Sequence, residues 1–301
     1  MSGKRKPEDQ GSQPAKRTEL NAKGTPKRAE LDVQLDASQL GALTKLFKGQ
    51  QSEYSLAFSP TGLTIQFLTA DHTGIMRAWF DADLAPRYHC TREVVVGVSA
   101  EAMLQAFKFA SPGGLVQFTT DFDRVTPMLT LCFEQRAEAA NKKPGKERAS
   151  QKVKLGIPKL TLDGDGEELT VDEVPEKHCT AILPAFEFYR NLKVMATMGI
   201  DEVKLTIGGP ELRMTVPHRD VNTEIDIQID LTDPATGMYE CTAPKPLTLA
   251  FAIRLLNYAN VSQHTKFMEF TVAENYPGLL RYKMDWGEFA YWLSPKIDDE
   301  D

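Results

Sequence analysis

Residues Leu160–Glu176 read LTLDGDGEELTVDEVPE and lie just past the middle of a chain of 301 residues. The stretch is acidic, contains Gly164, Gly166 and Pro175, and lacks the apolar spacing that an amphipathic helix needs. Such a composition is typical of an exposed connector. We interpret residues 159–177 as the connector between two halves, because the elements predicted before and after it follow the same order.

The first half, residues 29–158, alternates short strands with two helices. Alternating apolar residues predict strands at 31–35, 54–58, 63–67, 75–80, 93–98, 115–120, 128–133 and 153–157. A first helix is expected after a cap at Asp36 or Ser38, and a second over Ala100–Ala110 after a cap at Ser99. The basic insert 135–150 is expected to form a long hairpin loop.

The second half, residues 178–301, repeats this order. Strands are predicted at 179–183, 202–207, 211–216, 225–231, 247–251, 267–272, 279–283 and 289–293. A third helix is expected with Pro184 in its first turn, and a fourth with its buried face over Ala252–Ala259. Phe188 follows Leu40 by 148 positions and Ala252 follows Met103 by 149, which indicates a tandem duplication. We therefore predict an α+β fold of two pseudo-repeated domains, each with antiparallel sheets and two helices.

The charge of the chain is unevenly distributed. Residues 1–28 hold eight basic and three acidic residues, so the rest carries a net charge of −12 although the whole chain carries −7. This tail has few large apolar side chains and is expected to be disordered. Its basic clusters, Lys4–Lys6 and Lys16-Arg17, resemble a bipartite nuclear import signal, although a solubilising tail has a similar composition.

Other classes of protein are disfavoured. No apolar run reaches the length of a membrane span. The four cysteines are far apart without a CxxC pair, which favours reduced thiols and argues against a zinc site or a disulfide framework. No nucleophile, phosphate-loop or metalloprotease motif occurs, so we expect neither enzymatic activity nor a cofactor.

The outward faces of the four predicted helices share one property, which is a concentration of basic residues with few acids between them. These residues are Lys45, Lys48, Lys108, Arg190, Lys193 and Arg254. Solvated helix faces usually mix both signs of charge, so the segregation favours sequence-independent contact with the phosphates of duplex DNA. Ordinary solvated lysines remain the alternative for any single helix.

Several motifs resemble one family. The run Leu280–Lys283 and the C-terminal Tyr291–Asp301, YWLSPKIDDED, closely resemble the end of the proliferating cell nuclear antigen family of DNA sliding clamps. Leu249–Asn257 is similar to the family's last helix and the strand before it, and Asp71-His72 falls at its pocket histidine. The resemblance covers roughly residues 29–301, without the insert.

The resemblance implies a homotrimeric ring around duplex DNA, placed there by a clamp loader. Such a ring is a processivity factor that tethers DNA polymerase and other replication or repair proteins, in the nucleus or at a viral replication site. Ring closure would pair two edge strands of neighbouring copies, formed by Val153, Leu155 and Ile157 on one side and Ile225, Ile227 and Ile229 on the other. Partner peptides with one aliphatic and two aromatic anchors would dock at Leu68, His72, Ile75, Val174, Pro277, Trp292, Ser294, Pro295 and Lys296.

Three departures from the family pattern indicate a divergent member, from a large DNA virus or an unusual eukaryote. Trp292 replaces the usual tyrosine, the connector is longer, and Gly208–Pro210 replaces a loop that often carries a modifiable lysine. Two alternatives keep the fold. One is a monomeric or dimeric processivity factor that binds DNA by one basic face, and the other is a checkpoint-type clamp of three different subunits.

Overall fold

A computed structural model describes residues 31–121, 128–135, 151–160, 169–216, 225–232 and 237–296. The fold is α+β, and every strand pairing within these residues is antiparallel. The four helices are α1 (Ala37–Lys48), α2 (Ala100–Phe107), α3 (Ala185–Thr197) and α4 (Ile253–Leu256), which continues as a 3₁₀ helix over Asn257–Ala259.

The described part of the chain contains eighteen strands. Those of the first half are β1 (Leu31–Asp36), β2 (Glu53–Ser59), β3 (Gly62–Leu68), β4 (Gly74–Asp81), β5 (Arg87–Cys90), β6 (Val94–Ser99), β7 (Leu115–Asp121), β8 (Met128–Gln135) and β9 (Gln151–Pro158). Those of the second half are β10 (His178–Pro184), β11 (Glu202–Ile207), β12 (Glu211–Thr215), β13 (Asp226–Asp230), β14 (Met238–Cys241), β15 (Leu247–Ala252), β16 (Phe267–Ala273), β17 (Gly278–Met284) and β18 (Gly287–Leu293).

The strands form three sheets whose order repeats between the halves. The first half contributes β5-β1-β7-β8-β9 and β4-β3-β2-β6, and the second half contributes β14-β10-β16-β17-β18 and β13-β12-β11-β15. Each second-half order equals a first-half order with nine added to every strand number. Because β18 also pairs with β4, two of these sheets merge into one nine-stranded sheet that crosses from one half to the other.

The first two helices begin directly after the predicted caps, and the second and fourth end earlier than expected. Asp36 caps α1 by accepting hydrogen bonds from the backbone of Ser38 and Gln39, and Ser99 caps α2. The second helix was expected to reach Ala110, but it ends at Phe107 before a Ser-Pro-Gly turn. The fourth is short because two asparagines and a tyrosine follow its first turn, and these residues favour helices weakly. Pro184 lies at the N-cap of α3, not in its first turn.

The pairing register of the strands shows that the two halves are not related by one constant offset in residue number. Glu53 pairs with Ser99 in the first half, and Glu202 pairs with Ala252 in the second, each at the strand end that leads into a helix. The strands β2 and β11 are therefore 149 positions apart, whereas the following helices are 153 apart. The structural counterpart of Met103 is Leu256 and not Ala252, because the second half has four more residues before its last helix.

Two short edge strands and one covalent link were not predicted. Strands β5 and β14 have four residues each, too few for alternation to reveal. Cys179 and Cys241 lie directly opposite each other on β10 and β14 and are joined by a disulfide, contrary to the expectation of reduced thiols. A separation of 62 residues hides such a contact from any spacing rule.

A continuous apolar core links the helices to the inner faces of the sheets. The predicted inward residues Leu40, Phe47, Met103, Phe188 and Leu192 are all buried. Burial of each such side chain contributes about 1.5–3 kcal/mol. None of the helices in the described ranges is long and apolar enough to span a bilayer; the longest, α3, has 13 residues.

Candidate DNA-facing and docking surfaces

Two of the six predicted DNA-binding residues line one cleft. Lys45 of α1 and Lys108 at the end of α2 lie on a cleft of about 1000 Å³. Its far wall belongs to the second half and consists of Asn260, Val261, Gln263 and His264. Both lysines are exposed. Lys48 is also exposed but forms an ion pair with Glu101 of α2, which offsets part of its charge.

Helix α3 carries the clearest basic face. Arg190 and Lys193 are exposed and form no ion pair with any residue in the described part of the chain. Phe186 and Thr197 fall on the same stripe at 100° per residue, and Phe186 is 65% exposed. The opposite stripe, with Phe188, is buried.

Arg254 does not behave as a free cation. Its side chain is 64% exposed, yet its Nη1 lies 3.2 Å from Asp71 Oδ2 and donates a 2.9 Å hydrogen bond to the Tyr258 hydroxyl. The prediction of a cation that simply faces DNA is therefore incomplete, because a first-half carboxylate already holds it. Sequence could not reveal this pair, whose members are 183 positions apart.

Most of the predicted docking residues are brought together around Trp292. Cross-strand pairing places Trp292 opposite Ile75 on one side and Leu279 on the other, and Ile75 opposite Leu68. Val174 of the connector packs on the same small cluster. His72 and Ser294 lie at the adjoining turn, where the Ser294 N–H donates to the Thr73 carbonyl at 2.9 Å.

Trp292 is more buried than a docking-surface residue would need to be. It is 7% exposed, and its indole Nε1 donates to the Tyr276 hydroxyl at 3.2 Å. That hydroxyl donates in turn to the carbonyl of Asp172 in the connector at 3.0 Å. The Arg77 guanidinium lies 5.0 Å from the centre of the indole ring. Trp292 therefore fastens the connector to the sheet.

The last predicted docking residues lie at the margin of this cluster. Pro277 and Pro295 are partly exposed and flank strands β17 and β18. Lys296 leads away from the cluster, since its backbone N–H donates to Ala250 of β15 and its ammonium pairs with Glu202.

Sequence reasoning missed Tyr276, Val171 and Arg77. A cavity of about 240 Å³ beneath the connector is lined by these residues together with Trp292 and Val174. Tyr276 stands directly before Pro277, and the Tyr-Pro pair ahead of a strand was the only local signal. Arg77 lies on the outward face of a half-buried strand, where an arginine is unremarkable.

The six predicted interface residues lie on two sheet edges. Val153, Leu155 and Ile157 belong to β9, whose only partner among the described strands is β8. Ile225 directly precedes β13, and Ile227 and Ile229 belong to it; its only described partner is β12. The predicted import motif, most of the insert and residues 161–168 of the connector lie outside the described residues.

No protein-family model matches this chain. The case for a function therefore depends on the topology, the charges and the resemblance of the C-terminal motif.

Proposed function

We propose that this chain is a subunit of a DNA sliding clamp of the proliferating cell nuclear antigen type. Copies would assemble head to tail into a homotrimeric ring around duplex DNA and tether DNA polymerase and other replication or repair proteins. The observation that carries the proposal is the repeated topology. Among the described strands, β18 of the second half pairs with β4 of the first, whereas the equivalent strands β9 and β13 do not pair with each other.

The made joint is the pairing of β18 with β4. Under the repeat, β9 takes the place of β18 in the first half, and β13 takes the place of β4 in the second. A β9–β13 pairing would reproduce the same joint, and neither edge has that partner within the described chain. Open edges with half-buried apolar residues invite pairing with another chain, so a second copy of this chain is the natural occupant.

The repeat also gives the register of the proposed pairing. Val153 pairs with Phe133 as Phe289 pairs with Tyr282, and Ile227 pairs with Met214 as Ala78 pairs with Ile65. Because Phe289 lies opposite Ala78 in the made joint, Val153 of one copy would lie opposite Ile227 of the next. One position along, Lys154 would lie opposite Asp226.

The charges of the two edges are complementary. Lys152 and Lys154 are the exposed charged residues of β9, and Lys152 also pairs with Glu134 of β8. Asp226 and Asp230 are exposed on β13. Asp226 lies 3.4 Å from Arg213 in its own sheet, so its carboxylate has one cation already and can accept a second. Opposite charges facing each other across strands favour this pairing over the pairing of two like edges.

Exposed apolar residues support the same joint. Val194 of α3 is half exposed, and so are Met198 just after α3 and Phe109 just after α2. The counterpart of Val194 in α1 is Leu46, which lines the cleft against the far wall in the made joint. The counterpart of Phe109 lies at Val261 or Ser262, and Val261 lines that far wall. Val194 and Phe109 of neighbouring copies would therefore face each other across the proposed interface.

A head-to-tail interface gives either a closed ring or an open filament. Closure would bring α1–α4 of every copy to the inside, with Lys45, Lys108, Arg190 and Lys193 toward the phosphates. An acidic protein can then hold DNA, because its positive charge is concentrated where the duplex passes.

Light scattering at micromolar concentration, followed by retention on DNA, tests the proposal. We expect the mass of three chains, retention on closed circular DNA after loading by an ATP-driven clamp loader, and loss from linear DNA with free ends. A stable monomer would refute the ring and favour a processivity factor that binds by one face. A requirement for two other subunits would favour the checkpoint-type clamp.

A further inference from the structure

The Asp71 carboxylate connects the predicted DNA face with the turn over residues 69–74, the docking turn. Asp71 Oδ1 accepts hydrogen bonds from the hydroxyls of Thr69 at 2.9 Å and Thr73 at 2.6 Å, which shape the turn that presents His72. Its other oxygen, Oδ2, lies 3.2 Å from Arg254 Nη1 in the second half. The same side chain therefore shapes the turn and holds a cation on α4.

The turn itself is firmly built. His72 adopts a left-handed backbone conformation at φ 56°, and its N–H donates to the Thr69 carbonyl at 2.8 Å. Gly74 lies so close to the Tyr291 ring that an added Cβ would approach it to 2.5 Å. The turn therefore fixes the position of Asp71, so that Asp71 can determine the position of the more mobile Arg254 side chain.

The balance of interactions at Asp71 favours its charged form. Partial burial alone would raise the pKa of Asp71, but the hydrogen bonds donated by Thr73, Thr69 and Arg254 outweigh it and hold the pKa below its usual value. At neutral pH the carboxylate is therefore ionised beside the guanidinium. An ion pair of this kind contributes less net charge to a phosphate surface than a free arginine does.

We propose that Asp71 is a positioning residue that holds Arg254 against the docking turn and limits its contribution to DNA binding. The inference rests on the proposed function, since it assumes a DNA face and a docking turn. A protein segment that docks at His72 and takes Arg254's place as hydrogen-bond donor to the Asp71 carboxylate would release Arg254 toward the phosphates. Binding of a protein segment at the docking turn would then increase the affinity of the helix faces for DNA.

A double-mutant cycle tests this role. Asp71→Asn removes the charge while its amide oxygen can still accept from Thr69 and Thr73. We expect DNA affinity at low salt to rise about two- to fivefold, the range for an exposed ion pair, and the slope of log affinity against log salt to steepen by about one. In an Arg254→Gln background the same substitution should have no effect beyond that of Asp83→Asn, an exposed aspartate in another turn of the first half.

A second readout does not require DNA. Rotation of the Arg254 guanidinium, followed by ¹⁵N NMR, should be slower in the wild-type protein than in Asp71→Asn, which loses the ion pair and keeps the hydrogen bond to the Tyr258 hydroxyl. Equal rotation in both proteins would overturn the inference. It is also overturned if wild-type protein binds DNA but Asp71→Asn and Asp83→Asn have the same effect in both backgrounds. Absence of DNA binding by the wild-type protein would instead refute the proposed function, and the role of Asp71 in DNA binding with it, while slower rotation in the wild-type protein would still report the contact.

Discussion

At the scale of single residues, the C-terminal motif predicts the location of Trp292 but not its burial or its hydrogen bond. Its place in the C-terminal motif indicated the docking surface, and the structure does bring Leu68, Ile75 and Val174 to it. The motif did not reveal that the indole is nearly covered and hydrogen-bonded. The indole of Trp292 places an N–H deep in the cluster, and the Tyr276 hydroxyl accepts its hydrogen bond.

The Tyr276 hydroxyl gives the first prediction at this scale. Tyr276→Phe removes the bridge between the Trp292 indole and the Asp172 carbonyl and leaves the indole N–H without that partner. We expect a loss of about 1 kcal/mol and faster amide hydrogen exchange at 171–174. The control is Tyr239→Phe, an exposed tyrosine on an edge strand. Unchanged exchange at the connector would show that the hydroxyl does not fasten it.

At the scale of elements, strand and helix positions followed from periodicity, and their partners did not. Alternation located β9 and β13 because each edge has one half-buried face. It could not detect β14, which has four mostly exposed residues. The four basic helix faces were likewise visible from residue type and spacing. Their differences arise from long-range contacts, such as Lys48 with Glu101 and Arg254 with Asp71.

Because its two basic residues form no ion pair with any described residue, helix α3 is the best place to test the predicted DNA-binding surface. Arg190→Glu with Lys193→Glu reverses two exposed charges without touching the buried face of the helix. We expect weaker DNA binding and a salt slope shallower by about two, one for each lost phosphate contact. Light scattering should show an unchanged mass. Lys177→Glu with Lys245→Glu, equally exposed but on no helix, is the matched control; an equal loss of binding there would refute a specific role for α3.

At the scale of the whole molecule, the repeat is the feature that sequence approximated and topology corrected. The similarity of spacings 148 and 149 was partly a coincidence, since the last helices are 153 positions apart. The duplicated strand order is independent of that spacing, because it is set by hydrogen bonds and not by chain length. It explains why, among the described strands, β18 and β4 pair across the two halves while the equivalent strands β9 and β13 stay at sheet edges with exposed residues of opposite charge.

The register of the open edges makes assembly testable by charge exchange. In the proposed homotrimeric ring, Lys154→Asp or Asp226→Lys alone would place like charges opposite each other at each of the three interfaces between copies. At about 1 kcal/mol per cross-strand pair, three joints would weaken the trimer by about 3 kcal/mol, roughly two orders of magnitude in its association constant. The two substitutions together restore opposite charges in reversed order, so the double variant should recover most of the trimer in sedimentation equilibrium. Lys177→Asp, the same change on the connector, should leave the mass unaltered. Equal weakening by all three single substitutions, or a double variant weaker than either single edge variant, would mean that Lys154 and Asp226 do not face each other between copies.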